Sequence, residues 1–280
     1  MKKQLEEYEL IEQSIFTAFR PKIWTKFVHA CKEFKLIEPN DKIAVCVSGG
    51  KDSMILAVLM RMLHRFSDFP FDIEYISMDP GYNEKNRKKL KENLKKMGIF
   101  AKIFKTNIFD VTVSAGGSPC YLCARMRRGH LYAKAKELGC NKIALGHHMS
   151  DVIETTLMSM LFSGQIQGML PKLKSQNFEG MQLIRPLYYV LEEDICKWRD
   201  KNGLEFLACA CKFTEENYAP EKETASARKK TKNIISELKK QIPDVEEHIL
   251  KSVTNCQVDT MVSYKLDGDS HSFLEKFDDK

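Results

Sequence analysis

The fold is decided by residues 43–63, which read IAVCV, SGGKDS and MILAVLMRML in three consecutive blocks. The first block, 43–47, is short and apolar, as expected of a strand buried on both faces. The third, 54–63, is apolar nearly all round, which is typical of a buried helix. Between them, the loop Ser48–Ser53 supplies two adjacent glycines, a lysine and two serines. The stretch therefore predicts a strand, a polar loop and a helix in that order.

The same alternation of strand and helix patterns continues along the chain. Strands are predicted at Phe71–Met78, Ala101–Phe104, Lys142–Leu145 and Gln182–Ile184, and helices at Asn83–Met97 and Asp151–Phe162. Such alternation indicates an α/β fold, a doubly wound parallel sheet with helices on both faces.

Three regions follow from this pattern. An amphipathic helical segment, 1–40, leads into the α/β domain at 41–205, and a helical C-terminal region occupies 206–280. The acidic stretch 267–280 at its end is predicted to be a frayed tail.

Composition excludes several classes of protein. The chain has 280 residues, 43% of them hydrophobic, and 44 basic against 38 acidic residues. The longest apolar run, 54–60, has seven residues, whereas a membrane span needs about 20. The charged N-terminus lacks the pattern of a signal peptide, so we expect a cytoplasmic protein without a membrane partner. Nine cysteines in such a protein favour metal, redox or catalytic roles over disulfides.

Two basic stretches make an RNA-binding side plausible. Residues 228–240 carry six basic residues against one acidic, and residues 80–110 carry nine against three. Lysine-rich helix faces are often simply solvated, and a net charge of +6 does not decide the question.

The loop Ser48–Ser53 has the chemistry of a phosphate cradle. Adjacent Gly49 and Gly50 allow the backbone N–H groups to approach an anion, while Ser48 and Ser53 add hydroxyl donors and Lys51 adds a charge. The Walker A pattern is excluded, because Val45 stands where its first glycine belongs and Asp52 follows the lysine.

This loop resembles the pyrophosphate loop of the PP-loop ATPases, whose Ser-Gly-Gly-x-Asp-Ser signature is complete here. The resemblance implies that ATP binds at Ser48, Gly49, Gly50, Lys51, Asp52 and Ser53. It also implies that AMP is attached to a carbonyl or amide oxygen and pyrophosphate is released, with Asp52 among the catalytic residues.

Two further segments fit the same resemblance. Met78 ends the second strand, where related enzymes hold adenosine. Gly146, His147 and Asp151 match the family pattern beside the phosphates, in which the acidic residue helps to place Mg2+. The usual double acid is reduced in this chain, with Ser150 in its first position. Without the resemblance, the histidines would be read as capping or core residues.

Four cysteines form two tight pairs, Cys120-x-x-Cys123 and Cys209-x-Cys211. The first pair opens a helix that carries three arginines, so its thiolates should be stabilised. A single Cys-x-x-Cys fits a redox disulfide, half of a zinc site, part of an iron-sulfur site or coincidence. The Cys-x-Cys spacing fits structural zinc poorly without forbidding it.

The run from Cys120 to Leu173 resembles the tRNA 2-thiocytidine synthetase family, through Pro-Cys-x-x-Cys-x-Arg-x-Arg-Arg-Gly, Leu-Gly-His-His and Met-x-Pro-Lys-Leu. With the earlier motifs, the resemblance spans about residues 20–215. It implies a [4Fe-4S] cluster held by Cys120, Cys123 and a third cysteine, with one iron left without a protein ligand. Cys209 is favoured over Cys211 as the third ligand because it aligns with the first cysteine of the family motif.

The resemblance implies an ATP-dependent tRNA thiolase that replaces the oxygen at carbon 2 of a cytidine with sulfur. Sulfur would come from a cysteine desulfurase or free sulfide, and a homodimer is compatible with this interpretation. The carrier is either the cluster or a persulfide on the remaining cysteine of the later pair, so all four paired cysteines are candidate catalytic residues. Two alternatives remain: a PP-loop enzyme that activates another RNA base or a small amide with zinc at the cysteines, and a nucleotide-binding regulatory module without turnover.

Isolated cysteines occupy five other positions and are predicted to be packing or incidental thiols. They are Cys31, Cys46, Cys140, Cys196 and Cys256.

Overall fold

A computed structural model describes residues 5–108, 119–207 and 224–277, with the side chains of 119–124, 224–226 and 276 left out. The first part of the chain alternates helices with the strands of one sheet. Its elements are α1 (Glu7–Thr17), α2 (Thr25–Glu33), β1 (Lys42–Cys46), α3 (Lys51–Phe66), β2 (Asp72–Asp79), α4 (Glu84–Lys96), β3 (Lys102–Lys105), α5 (Pro119–Glu137), β4 (Lys142–Ala144), α6 (Met149–Ser163), β5 (Lys172–Lys174), β6 (Gln182–Ile184) and α7 (Glu192–Lys201). A π-helical turn, Arg20–Trp24, separates α1 from α2 and has Pro21 near its start.

The strands form a six-stranded sheet in the order β3-β2-β1-β4-β6-β5. Every neighbouring pair is parallel except β5 with β6, which is antiparallel. The strand order reverses between β1 and β4, the switch point at which doubly wound sheets bind ligands beyond the carboxyl ends of their strands. The predicted α/β class and parallel sheet are therefore confirmed, and β5 is a strand that the sequence pattern had not indicated.

Strand β1 contributes to two cores because successive side chains of a strand point to opposite faces. Ile43, Val45 and Val47 belong to one buried cluster, together with Ile55 and Leu59 of α3. On the other face, β1 supplies Ala44 and Cys46 to a second cluster that includes Tyr132 and Ala135 of α5. Both faces of the central strand are thus covered, which explains its continuous apolar sequence.

The chain divides into two compact units, of which the first comprises residues 1–152 and 169–226. The second comprises residues 153–168 and 227–280. It contains most of α8 (Thr224–Gln241), α9 (Val245–Thr254), a hairpin of β7 (Ser263–Leu266) with β8 (Asp269–Ser272), and α10 (Leu274–Phe277). Within this unit the buried carboxylate of Glu154 pairs with Arg228 at 3.0 Å. The region boundaries at residues 40 and 205 stay predictions.

The predicted frayed tail is wrong over residues 267–277. Asp267 and Gly268 have φ angles of 53° and 98°, the left-handed backbone that a two-residue hairpin turn requires, and Asp-Gly is a strong signal for such a turn. The C-terminal region is therefore not purely helical. None of the helices formed by the described residues is both long and apolar enough to cross a membrane.

Candidate active site at the carboxyl edge of the sheet

Two loops meet at the switch point of the sheet. The loop 48–50 follows β1, and the loop 145–148 follows β4. A Cβ atom on Gly146 would lie 2.9 Å from the backbone carbon of Asp52 and 3.0 Å from the amide nitrogen of Ser53. Only a glycine allows the two backbones to come this close. The structure therefore brings the predicted residues of both loops into one site.

The loop after β1 is closed by a serine. The Ser53 hydroxyl donates to the Gly50 carbonyl at 2.9 Å and accepts from the Ser48 N–H at 3.1 Å. Its oxygen also lies 3.1 Å from the Ser48 hydroxyl. Gly49 has a φ of 89°, which is accessible to glycine at little cost. Because α3 begins directly afterwards, the N–H groups and the positive dipole end of its first turn face this loop, as in other anion sites.

Lys51 is held by two carboxylates. Its ammonium group lies 2.8 Å from Glu192 Oε1 and 3.1 Å from Asp52 Oδ2. Burial opposes the charge of Lys51, but the hydrogen bond that it donates to Glu192 and the negative charge of Asp52 outweigh this effect, so the pKa of Lys51 is raised. Sequence reasoning missed Glu192, which lies 141 residues away and comes close only in the folded chain.

Ser150 positions Glu192. The Ser150 hydroxyl is buried and accepts the backbone N–H of Glu192, the first residue of α7, at 3.1 Å. The serine that replaces the first acid of the family motif thus anchors the helix whose first residue neutralises Lys51.

His148 lies between two carboxylates. Its Nε2 is 3.7 Å from Asp52 Oδ1, and its Nδ1 is 3.4 Å from Asp151 Oδ2. The Asp151 carboxylate also accepts the His148 backbone N–H at 3.1 Å. His148 is buried, whereas the predicted ligand His147 is half-buried. The family resemblance pointed to His147, whereas the histidine that lies between the two carboxylates is His148.

The donor set beside His148 is compatible with a magnesium ion bound together with a phosphate. Asp52 Oδ1 is buried and has no hydrogen-bond partner among the described residues. Mg2+ commonly uses one or two carboxylates, substrate phosphates and water, which matches Asp52 and Asp151. Across the described part of the chain, no group of three or more His, Cys, Asp or Glu residues is arranged to hold a metal ion by itself.

The end of β2 borders the same loops. Met78 is buried there. Next to it, Asp79 accepts backbone N–H groups from Gly81 and Tyr82 at 3.0 and 2.8 Å. Burial raises the pKa of Asp79, but the Arg87 guanidinium at 2.6 Å and the two backbone donors outweigh it, so the net pKa is lowered. The Tyr82 hydroxyl donates to the Ser48 carbonyl at 3.2 Å, which ties this turn to the phosphate loop.

The helix that carries the first pair of cysteines begins near this edge of the sheet. Helix α5 packs on β1, β2 and β4 and leads into β4. It therefore runs antiparallel to the strands, and its first turn, which includes Cys120 and Cys123, lies on the carboxyl side of the sheet. The side chains of these two cysteines are outside the described set.

The second cysteine pair, Cys209 and Cys211, lies outside the described residues. The described chain ends just before it at Leu207, whose backbone N–H donates to the Gly49 carbonyl at 3.1 Å. A Cβ atom on Gly49 would lie 2.8 Å from the Leu207 side chain. The chain is therefore fastened to the phosphate loop two residues before Cys209.

The isolated cysteines differ in exposure. Cys31, Cys46 and Cys140 are buried free thiols, Cys196 is half-buried and Cys256 is exposed. Burial raises the pKa of Cys140 to about 11 and also raises the pKa values of Cys31 and Cys46. These three thiols are therefore held in the neutral form, which is a poor nucleophile and metal ligand.

Comparison with known proteins supplies the family. Residues 20–212 match a family model described as a PP-loop domain. The chain is 35% identical over 252 residues to a tRNA-cytidine(32) 2-sulfurtransferase from Geotalea uraniireducens, which covers 89% of this chain and 95% of that relative. A relative with the same name from Vibrio cholerae is 32% identical over 272 residues, covering 95% of this chain and 84% of its own length.

The chain belongs to the tRNA 2-thiocytidine synthetase family of PP-loop ATPases. It is thus an enzyme of the PP-loop class. Among solved structures, the U34-tRNA thiolase NcsA from Methanococcus maripaludis, determined with its [4Fe-4S] cluster, superposes with a TM-score of 0.65. The match covers 87% of this chain and 81% of that one at 21% identity, and it supports the fold.

Proposed function

We propose that this chain is an ATP-dependent tRNA sulfurtransferase that converts a cytidine to 2-thiocytidine. The observation that carries the proposal is the attachment of Leu207 to Gly49, since it holds the segment before Cys209 against the phosphate loop. Sulfur delivery and phosphate activation must share one cavity for this reaction. The first turn of α5, which includes Cys120 and Cys123, lies on the carboxyl side of the sheet and therefore also supports a shared cavity.

The reaction proceeds in two displacements. The oxygen on carbon 2 of the cytosine attacks the α-phosphate of ATP, a C–O–P linkage forms, and pyrophosphate leaves. A sulfur nucleophile then adds to carbon 2, and AMP departs with the original oxygen. When hydrosulfide is the nucleophile, the exchange needs no net oxidant or reductant.

The chain's own residues act on the departing phosphates. The backbone N–H groups of Ser48–Ser53 bind the pyrophosphate, and Lys51 exchanges its carboxylate partners for phosphate oxygens. Asp52 and Asp151 would hold Mg2+ beside the phosphates, His147 and Gly146 line the same loop, and Met78 contacts the adenosine. Alignment and charge neutralisation supply most of the rate enhancement in such a site.

The residues fit an iron-sulfur cluster by the chemistry of their donors. Cys120, Cys123 and Cys209 offer three thiolates, the ligands that iron-sulfur clusters use, and the positive end of α5 favours the thiolate form of the first two. When bound, a [4Fe-4S] cluster held by these three cysteines would supply an iron coordination position that no protein residue occupies, for the incoming sulfur. Cys211 then remains available, and sulfur enters from a cysteine desulfurase or free sulfide.

The test is anaerobic purification followed by iron and sulfide analysis and ATP-dependent thiolation of bulk tRNA. Wild type is expected to contain four irons, release pyrophosphate only with tRNA and produce 2-thiocytidine. Cys120→Ala should lose iron and thiolation, while Cys256→Ala, which removes an exposed isolated thiol, should retain both. Cys209→Ala is expected to lose iron, and Cys211→Ala to keep it.

Distinct outcomes refute distinct parts of the proposal. Thiolation by iron-free protein would reject the cluster, and zinc in its place would favour the activation of another base or amide. An iron-loaded Cys211→Ala variant without activity would favour a persulfide carrier. ATP binding without tRNA-dependent pyrophosphate release would leave only a regulatory module.

A further inference from the structure

Helix α4 carries an unusual row of unpaired lysines. Lys85, Lys88, Lys91 and Lys95 have no ion-pair partner among the described residues and are all exposed. At 3.6 residues per turn they lie within an arc of about 120° and extend for about 15 Å along the helix. Two exposed acidic residues of α4, Glu84 and Glu92, lie within the same arc, so four lysines face two glutamates and the face stays basic.

The other basic residues of α4 are neutralised. Arg87 pairs with Asp79 at 2.6 Å, Lys89 with Glu205 at 2.8 Å and Lys96 with Glu7 at 3.0 Å. The basic residues of α4 thus fall into two groups: those in ion pairs with other parts of the chain, and the exposed lysines of the row, which have no such partner among the described residues. A surface that needed basic residues only for solubility would not require this separation.

An exposed aromatic ring stands at the end of the row. Phe100, in the turn between α4 and β3, is 92% exposed, the highest value among the exposed large hydrophobic residues that the structure describes. Together with Lys91, Lys95 and Gly98 it lines an open depression of about 290 Å³. Pockets that enclose a small molecule have volumes of roughly 300–1,000 Å³. The depression is slightly smaller and open to solvent, so it can cover one side of a flat group without enclosing it.

We propose that the row of lysines and Phe100 form an RNA-binding track, on which phosphates contact Lys85–Lys95 and an unpaired base stacks on Phe100. Proteins bind single-stranded RNA by combining a basic groove with aromatic platforms for bases. The track starts near Asp79, at the edge of the candidate active site, and ends beside the amino end of β3. It rests on the proposed function and gives that function a second point of contact with the tRNA.

A second copy of this chain is the less favoured occupant. In a two-fold interface the same surface meets itself, which would bring the row of lysines of one copy against the row of the other. The neighbouring edge strand β3 also begins and ends with a lysine, a feature that opposes pairing between sheet edges.

The experiment compares tRNA binding by wild type, Phe100→Ala and the double variant Lys91→Ala/Lys95→Ala. The matched control is Lys26→Ala/Lys32→Ala, which removes the same charge from α2. We expect Phe100→Ala to weaken tRNA binding about tenfold. The α4 double variant should lower the slope of log K against log salt by about 1.4 to 1.8. Affinity for ATP should be unchanged, and thermal denaturation verifies folding.

A direct readout is available from Phe100→Trp. The introduced indole takes an exposed position, whereas Trp198 is fully buried and Trp24 is half-buried. Added tRNA should therefore quench the emission of Phe100→Trp more than that of wild type. An RNA duplex of equal phosphate number without unpaired bases should quench it much less.

Three results would overturn the track. These are unchanged tRNA affinity in Phe100→Ala, an equal loss in the α2 control, or a shift from dimer to monomer in Phe100→Ala, which would assign the surface to self-association. Failure of the proposed function is distinguishable, because wild type itself would then show no ATP-dependent reaction with tRNA.

Discussion

Replacing Gly146 with alanine tests whether the contact between the two loops organises ATP binding. The added Cβ would lie 2.9 to 3.0 Å from three backbone atoms of Asp52 and Ser53, whereas ordinary contact begins at 3.4 Å. The two loops must separate by about 0.5 Å, because the contacting atoms of Asp52 and Ser53 belong to the backbone and cannot move aside as a flexible side chain would. Forced overpacking of this kind costs ~2 kcal/mol. Bound ATP must draw the separated loops back together, so the same cost appears as a loss in kcat/KM for ATP, about thirtyfold because 1.4 kcal/mol corresponds to a factor of ten.

The assay is pyrophosphate release at varied ATP, with urea unfolding measured in parallel. Gly129→Ala is the matched control, because a Cβ on Gly129 would meet no atom within 4 Å. In the interior of α5, that change should stabilise the protein by ~0.5–1 kcal/mol and leave kcat/KM for ATP intact. Gly146→Ala with wild-type kcat/KM for ATP would show that the close approach of the loops has no part in ATP use.

Four further predictions can be tested, one of them with a pair of variants. Gly50→Ala should leave the free energy of unfolding nearly unchanged, since its Cβ would meet only atoms at 3.7 Å and beyond, while a raised KM for ATP would reveal a clash with bound phosphate. Glu192→Gln should lower the KM for ATP about two- to threefold, because it releases Lys51. Lys51→Met should raise the KM for ATP about tenfold, an order-of-magnitude figure for one lost charge contact. An unchanged KM in both variants would show that Lys51 does not bind phosphate. Lys142→Ala should lower the free energy of unfolding by ~3–5 kcal/mol in urea titrations, because the lysine is 1% exposed and its loss leaves the buried Asp41, 2.6 Å away, without that charge partner. Asp79 has a lowered pKa in the folded protein. Its contribution to stability is therefore present above its unfolded pKa of about 3.9 and is lost as the pH falls through the folded pKa. The Tm of Asp79→Asn should accordingly fall less than that of wild type below pH 4.

Much of the fold was determined locally by the sequence. Strand β1, the loop after it and α3 follow from residues 43–63, because an apolar run, adjacent glycines and a second apolar run each have one favourable backbone conformation. The predicted strand Gln182–Ile184 was found at its stated bounds. The hairpin at Asp267–Gly268 also had a local signal, the Asp-Gly pair, which the acidic composition of the region obscured.

The chemistry of the site was decided only by the tertiary structure. The sequence pointed to Lys51 but not to Glu192, and it offered two adjacent histidines without indicating that His148 is the one between Asp52 and Asp151. The sequence around Gly49 likewise gives no indication that Leu207 donates a hydrogen bond to its carbonyl group. The physical reason is that a strand or turn is specified by neighbours along the chain. A site at a switch point is assembled from loops that follow different strands, so its distances exist only once the sheet has formed.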